Sequence, residues 1–220
     1  MDLGSGALGK LQTQIAYSLL DAIVVSHMHA DHFFDLVPLR YGLKYGPRHR
    51  AARLPLWLPP GGTTVLAALA ELIGHGNPAF FSEVFDVSEY DESQPLDVNG
   101  LRLTFRNTRH YIDAFAIRAQ HGDASIVYSA DTAPCDEVVE HALATSIFLC
   151  EAGLGLGSED GERGHASAQE AGEMAERAGA ARLVLTHYGA GSSETALVEA
   201  AASRFAGPIT LAYDGLEVSA

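Results

Sequence analysis

Cysteine is scarce: Cys135 and Cys150 are the only two in 220 residues. Two are too few to staple a fold, and their number suits a reducing compartment, so a cytoplasmic protein is expected. Long apolar runs are missing as well. No stretch reaches the roughly 18 uncharged apolar residues of a membrane span. Met1-Asp2-Leu3-Gly4-Ser5-Gly6 has neither the basic nor the apolar region of a signal peptide. Positive charge is in short supply: 14 Lys and Arg stand against 28 Asp and Glu, a net charge of −14. A polyanion would meet a repulsive field, which argues against a general nucleic-acid binder. Internal repeats and low-complexity tracts are lacking too. What remains is a composition 47% hydrophobic and 19% charged, enough to bury a core within one domain over residues 1–220.

Short apolar runs alternate with helix-like segments along the chain. Ala22–Ser26 and Pro55–Leu58 read as strands, and Gly61-Gly62-Thr63-Thr64 opens a helix to Ile73 with Thr63 or Thr64 as N-cap. Leu96–Phe105 alternates around Asn99-Gly100, a strong hairpin signal. Strands at 114–119 and 125–129 follow, then helix 135–144, strand 147–150, helix 167–178, strand 182–186 and helix 193–205. Ile209–Tyr213 and Leu216–Val218, around Asp214-Gly215, predict a closing hairpin. Hairpins followed by βα units imply an α/β (α+β) protein of mixed sheets covered by helices. Gly153–Gly164 is glycine-rich and acidic; it reads as a surface loop and not as a phosphate cradle, since the strand-then-helix setting is wrong. Trp57 reads as core.

The segment Ser26-His27-Met28-His29-Ala30-Asp31-His32 directly follows the first apolar run. Three imidazoles and a carboxylate in so short a span cannot all be core, because each needs polar partners when buried. At a strand's end the period of two points His27 and His29 the same way, while the turn carrying Asp31 and His32 faces a second point. One segment thereby offers ligands to two metal ions about 3.5–4 Å apart, and imidazole nitrogen with carboxylate oxygen suits zinc. A solvated histidine-rich turn is the plain alternative. Three more candidates stand singly just past apolar strands, where an open sheet places ligands. They are His110, Asp131 in Tyr128-Ser-Ala-Asp-Thr132, and His187 in Leu185-Thr-His-Tyr188. Each alone reads equally well as an ordinary loop residue.

With these segments in hand, the chain resembles the metallo-β-lactamase superfamily of two-metal hydrolases. His-x-His-x-Asp-His stands intact at 27–32, and His110, Asp131 and His187 follow in the family's order. The resemblance implies an αββα sandwich, two mixed β-sheets flanked by helices, with the site at one edge of the sheets. It also implies His27, His29 and His110 on one ion, Asp31, His32 and His187 on the other, and Asp131 bridging. The two divalent ions would be zinc, with manganese or iron as alternatives. Tyr128–Thr132, Gly164-His165-Ala166-Ser167, Ala171–Ala175 and Leu183–His187 are similar to the ribonuclease Z and phosphodiesterase branch. There His165 matches a histidine that contacts the scissile phosphate or protonates the leaving group; a helix-capping loop histidine is the alternative. Glu151 is a candidate to orient a ligand, or a plain surface acid.

The interval from His110 to Asp131 holds two strands and a turn, with no space for the arm by which tRNA-processing members of that branch grip tRNA. The charge of −14 points the same way. The expected substrate is therefore a small anionic phosphodiester such as a cyclic nucleotide, with no tRNA and no membrane partner. Ribonuclease Z-like RNA cleavage, and lactone, thioester or β-lactam hydrolysis, are the alternatives. Asp31 is expected to orient an activated hydroxide and His165 to protonate the departing alkoxide. Between Asp35 and Glu71 there is no acid, whereas Arg40, Lys44, Arg48, Arg50 and Arg53 are basic. That stretch either borders the cleft and attracts the anion or forms ordinary solvated surface. Family members open with a hairpin before an Asp-x-Gly-x-Gly element, which Met1–Gly6 resembles. The hairpin is thus expected to be missing, with a homodimer covering the exposed edge.

Overall fold

The apolar run after Asp21 gives only a two-residue strand, β1 (Ile23–Val24). Beyond it the Ser26 N–H turns away from the ladder and donates to the Asp2 carboxylate. The computed structural model describes residues 1–47, 50–189 and 191–219, in two compact units, Met1–Asp91 and Glu92–Ala220.

In the first unit α1 (Ala7–Gln14) precedes β1, and α2 (Ala30–Phe33) and α3 (Leu36–Tyr45) lead to β2 (Leu54–Leu58). Then α4 (Gly62–Ile73) leads to β3 (Phe85–Glu89). The strands form one sheet in the order β1-β2-β3, parallel throughout, as helical crossovers require. Leu54, Leu56 and Leu58 of β2 point into a core with Leu36, Leu39 and Phe85. Trp57, on the alternate face, is only half-buried, so it is not the core residue expected.

One other expectation fails here for an electrostatic reason. Neither Thr63 nor Thr64 caps α4: Gly61 is the N-cap, at φ +81°, and Glu89 of β3 accepts from the Thr63 N–H at 2.9 Å and from its hydroxyl. The basic stretch is tied down internally. Arg40 is buried, donating to Phe80 O and to Glu83 at 2.6 Å. Lys44 also lies 3.3 Å from Glu83, Arg50 donates to Ser18 O and Leu20 O, and Arg53 pairs with Asp86. Acids from β3 and the turn before it thus meet Arg40, Lys44 and Arg53, cations that seemed unopposed in sequence; Arg48 lies outside the described residues.

The second unit carries a seven-stranded sheet. β4 (Leu96–Val98), β5 (Leu101–Asn107), β6 (Phe115–His121) and β7 (Ala124–Tyr128) form an antiparallel meander. The chain then alternates α5 (Asp136–His141), β8 (Ile147–Glu151), α6 (Ala168–Ala178), β9 (Leu183–Thr186), α7 (Glu194–Ala202) and β10 (Ile209–Leu211), with β8 to β10 parallel. Asn99 and Gly100, both at positive φ, make the predicted hairpin turn. Ser167 and Glu170 close a capping box on α6. Helices α5, α6 and α7 bury Val138, Met174 and Leu197 with Phe148, Leu183 and Leu185 of the sheet.

The closing hairpin does not form. β10 pairs in parallel with β9, Ala212 N–H donates to Leu185 O and ends that ladder, and Leu216–Val218 is not a strand. A helix before β10 returns it to the sheet as a parallel neighbour, leaving the last residues nothing to pair with in antiparallel fashion. The architecture is the expected one of two sheets flanked by helices, except that the smaller sheet is wholly parallel where both were expected to be mixed.

Candidate metal centre

In the first unit the histidine motif is shaped by the six residues that open the chain. Asp2 N–H donates to Val24 O, Leu3 N–H donates to His32 O, and Asp35 N–H donates to Leu3 O. Gly4 lies so close to the Asp31 carbonyl that no Cβ fits between them. Held this way, Asp2 reaches three groups of the motif: Ser26 N–H at 2.7 Å, Ser26 Oγ–H at 2.8 Å and His32 Nδ1 at 2.8 Å. Burial pushes the Asp2 carboxyl up, but the hydrogen bonds from His32 and the Ser26 N–H outweigh it and hold the pKa below the ordinary carboxylate value. Ser26 Oγ in turn accepts from His27 Nδ1 at 3.0 Å. Tyr90 steadies the same turn, donating to Val25 O at 3.0 Å. The rings of His27, His29 and His32 cluster, with centroids 5.0 Å (His27–His29) and 4.0 Å (His27–His32) apart. Asp31 places a carboxylate oxygen 3.5 Å from His32 Nε2.

In the second unit His110, Asp131, His165 and His187 come together. Each follows a strand or enters a helix: His110 after β5, Asp131 after β7, His187 after β9, and His165 just before the cap of α6. Thr108 Oγ1–H donates to Asp131 O, and Ala133 N–H to Arg109 O, stitching the His110 and Asp131 segments together. Asp131 is 2% exposed. One of its oxygens lies 3.8 Å from His110 Nε2, 3.5 Å from His187 Nε2 and 4.0 Å from His165 Nδ1. Ala130 and His187 both hold positive φ, +51° and +55°, conformations that cost about 1–3 kcal/mol at non-glycine residues and collect at functional sites.

Glu151, fully buried at the end of β8, accepts from Thr132 N–H at 2.8 Å, Gly153 N–H at 2.6 Å and His165 Nδ1 at 3.0 Å. It is therefore no surface acid, and the side chain it orients is His165. The Glu151 hydrogen bond raises the His165 pKa; burial opposes it, and the charges of Glu151, Asp131 and Glu159 add to the rise. His165 also stacks on His187, centroids 5.4 Å apart at 19°. The glycine-rich loop is not a bystander either: Gly164 O accepts from His110 Nδ1 at 2.8 Å.

These donor sets fit divalent cations. His27, His32 and His110 each use Nδ1–H on a fixed acceptor, Ser26 Oγ, Asp2 and Gly164 O respectively. That fixes the tautomer and makes Nε2 the lone-pair atom, the usual outer-shell arrangement of a metal-binding histidine. The spacings of 3.5 and 3.8 Å around Asp131 exceed a hydrogen bond. They match two atoms each about 2.0–2.2 Å from one tetrahedral ion. Among the described residues Asp131 and His187 belong to a group of side chains that could hold a metal ion. Sequence reasoning gave no role to Asp2, Ser26, Tyr90 or Gly164. Asp2 carried a signal in the Asp-x-Gly-x-Gly element, and Ser26 and Gly164 stood inside quoted motifs without a role; Tyr90 carried none.

Residues 8–188 match the family described as Beta-lactamase superfamily domain. The Mycobacterium tuberculosis protein Rv1339 is 32% identical over 210 residues, 95% of this chain and 76% of its own length. A ribonuclease Z of Mycobacterium sp. (strain KMS) is 30% identical over 207 residues, covering 86% of this chain and 73% of its own. The crystal structure of the metallo-beta-lactamase fold protein YhfI from Bacillus subtilis superposes with a TM-score of 0.84 at 26% identity, over 98% of this chain and 84% of that one.

Proposed function

The chain belongs to the beta-lactamase superfamily and is a metallo-hydrolase, and from that premise we propose a phosphodiesterase that acts on a small phosphodiester such as a cyclic nucleotide. In this reading the family's ligand positions would hold two ions. His27, His29 and His110 would hold one ion, Asp31, His32 and His187 the other, with Asp131 as a shared ligand. Support comes from the family match, which runs through both units, and above all from the three histidines whose Nδ1–H atoms are committed to acceptors.

Divalent cations held there would supply Lewis acidity and lower the pKa of a nearby water. The chain's own groups do the rest. Asp31, largely exposed on the first turn of α2, orients the attacking water. His165, whose pKa the Glu151 hydrogen bond to Nδ1 raises, gives an Nε2 proton to the departing alkoxide oxygen. Such an acid is needed for a phosphodiester with a poor leaving group, more than for a strained lactam. The net charge of −14 favours a small substrate over a polynucleotide. The likeness to a ribonuclease Z keeps RNA cleavage as the second reading. Against it, β6 and β7 form a plain hairpin between His110 and Asp131.

Replacing His29 or Asp131 with Ala tests the assignment. Metal content and hydrolysis of bis(p-nitrophenyl) phosphate are expected to fall together, activity by at least about 10²-fold. Full turnover by either variant would contradict it, and turnover of a lactone or β-lactam with no phosphodiester activity would redirect the substrate class.

A further inference from the structure

Tyr111 follows His110 directly and has no assigned role above. Its ring centroid lies 5.0 Å from that of His110 and 5.8 Å from that of His165, edge-on to the latter at 66°. Its hydroxyl donates to Glu159 Oε1 at 2.6 Å. Its ring edge presses on Gly164 so closely that any side chain there would overlap it. The same Gly164 carbonyl accepts from His110 Nδ1, so ring and candidate ligand share one support. Despite these attachments Tyr111 is 46% exposed.

A large aromatic ring fixed at its hydroxyl, its edge and its neighbours, yet open on the remaining side, is not packed as core. Being ordered already, it gives up little conformational entropy when a flat partner lands on it. It also flanks the side chain that would release the leaving group. We propose that Tyr111 is the stacking platform for a planar ring on the substrate, so that the phosphodiester is a nucleotide and not an alkyl or glyceryl ester. The Gly153–Gly164 loop serves this platform through Glu159 and Gly164. The inference rests on the phosphodiester reading and narrows it to a base-bearing substrate. Stacking alone distinguishes no base from another.

Calorimetric titration of the metal-loaded protein with adenosine 5′-monophosphate and with ribose 5-phosphate tests it, the two probes sharing a phosphate and a sugar. The wild type is expected to bind the nucleotide at least about tenfold more tightly, which is about 1.4 kcal/mol. In Tyr111→Ala the ratio of the two dissociation constants falls to near one. In Tyr111→Phe, which keeps the ring, it stays within about twofold of wild type. Each ratio is internal to one variant, so a general loss of folded protein does not imitate the result. Equal binding of the two probes by the wild type, or an unchanged ratio in Tyr111→Ala, overturns the platform and leaves the phosphodiester reading standing. Failure of the metal-loaded wild type to bind either probe overturns both.

Discussion

His165 and Glu151 carry the sharpest chemistry at the level of single residues. Nδ1 of His165 faces a carboxylate with no exposure to solvent, so the imidazolium form is favoured and its second proton is available on Nε2. Removing that proton donor should hurt only where the leaving group needs it. His165→Ala is expected to lower kcat about 10²–10⁴-fold on a diester with an alkoxide leaving group. The loss on bis(p-nitrophenyl) phosphate should be far smaller, since nitrophenolate departs unprotonated; equal losses on both would contradict the role. Glu151 gives a pH signature of definite sign. Its carboxylate raises the His165 pKa, so Glu151→Gln lowers it and His165 loses its proton earlier as pH rises. The alkaline limb of kcat should therefore move to lower pH, and an unmoved limb in an active variant would count against the pairing. The amide also turns an NH2 toward the Gly153 or Thr132 N–H, so some loss of stability is expected alongside.

Among the elements, the opening hexapeptide does more than its length suggests. It is not part of either sheet, yet it holds His32 and Ser26 through Asp2 and lies against Asp31 at Gly4. Two glycine substitutions should therefore have opposite signs. Gly4→Ala forces a Cβ into the Asp31 carbonyl and should cost about 1–3 kcal/mol, with weaker metal binding. Gly9→Ala, inside α1 with nothing near its Cβ, should stabilise by about 0.5–1 kcal/mol. Urea unfolding of both reads this directly, and equal effects would show that the hexapeptide does not brace the motif.

The same elements show what a sequence reveals and what it hides. His27 to His32 was legible because its donors crowd into one short segment. His110, Asp131 and His187 were legible because each ends an apolar strand. The braces were not, for they are backbone carbonyls such as Gly164 O, or side chains from far along the chain such as Tyr90. No residue pattern marks such contacts. Glu89 capping α4 and Glu83 meeting Arg40 are the same case: tertiary partners override local propensity and local charge.

At the scale of the whole molecule, each unit has its own sheet and its own core, and each supplies part of the proposed ligand set. Ions held by the proposed ligand set should stabilise the folded chain as a ligand does. Chelation from about 100 times Kd would withdraw about 2.7 kcal/mol, a fall of about 5–10 °C in Tm for a chain of this size. An unchanged Tm would mean that the donors are not occupied in the folded protein. The most direct measurement is the number of ions each chain carries. Elemental analysis of the protein after reconstitution with zinc or manganese and removal of loose metal should give two per chain, falling in Asp131→Ala. One ion per chain, or none, would contradict the proposed dinuclear centre.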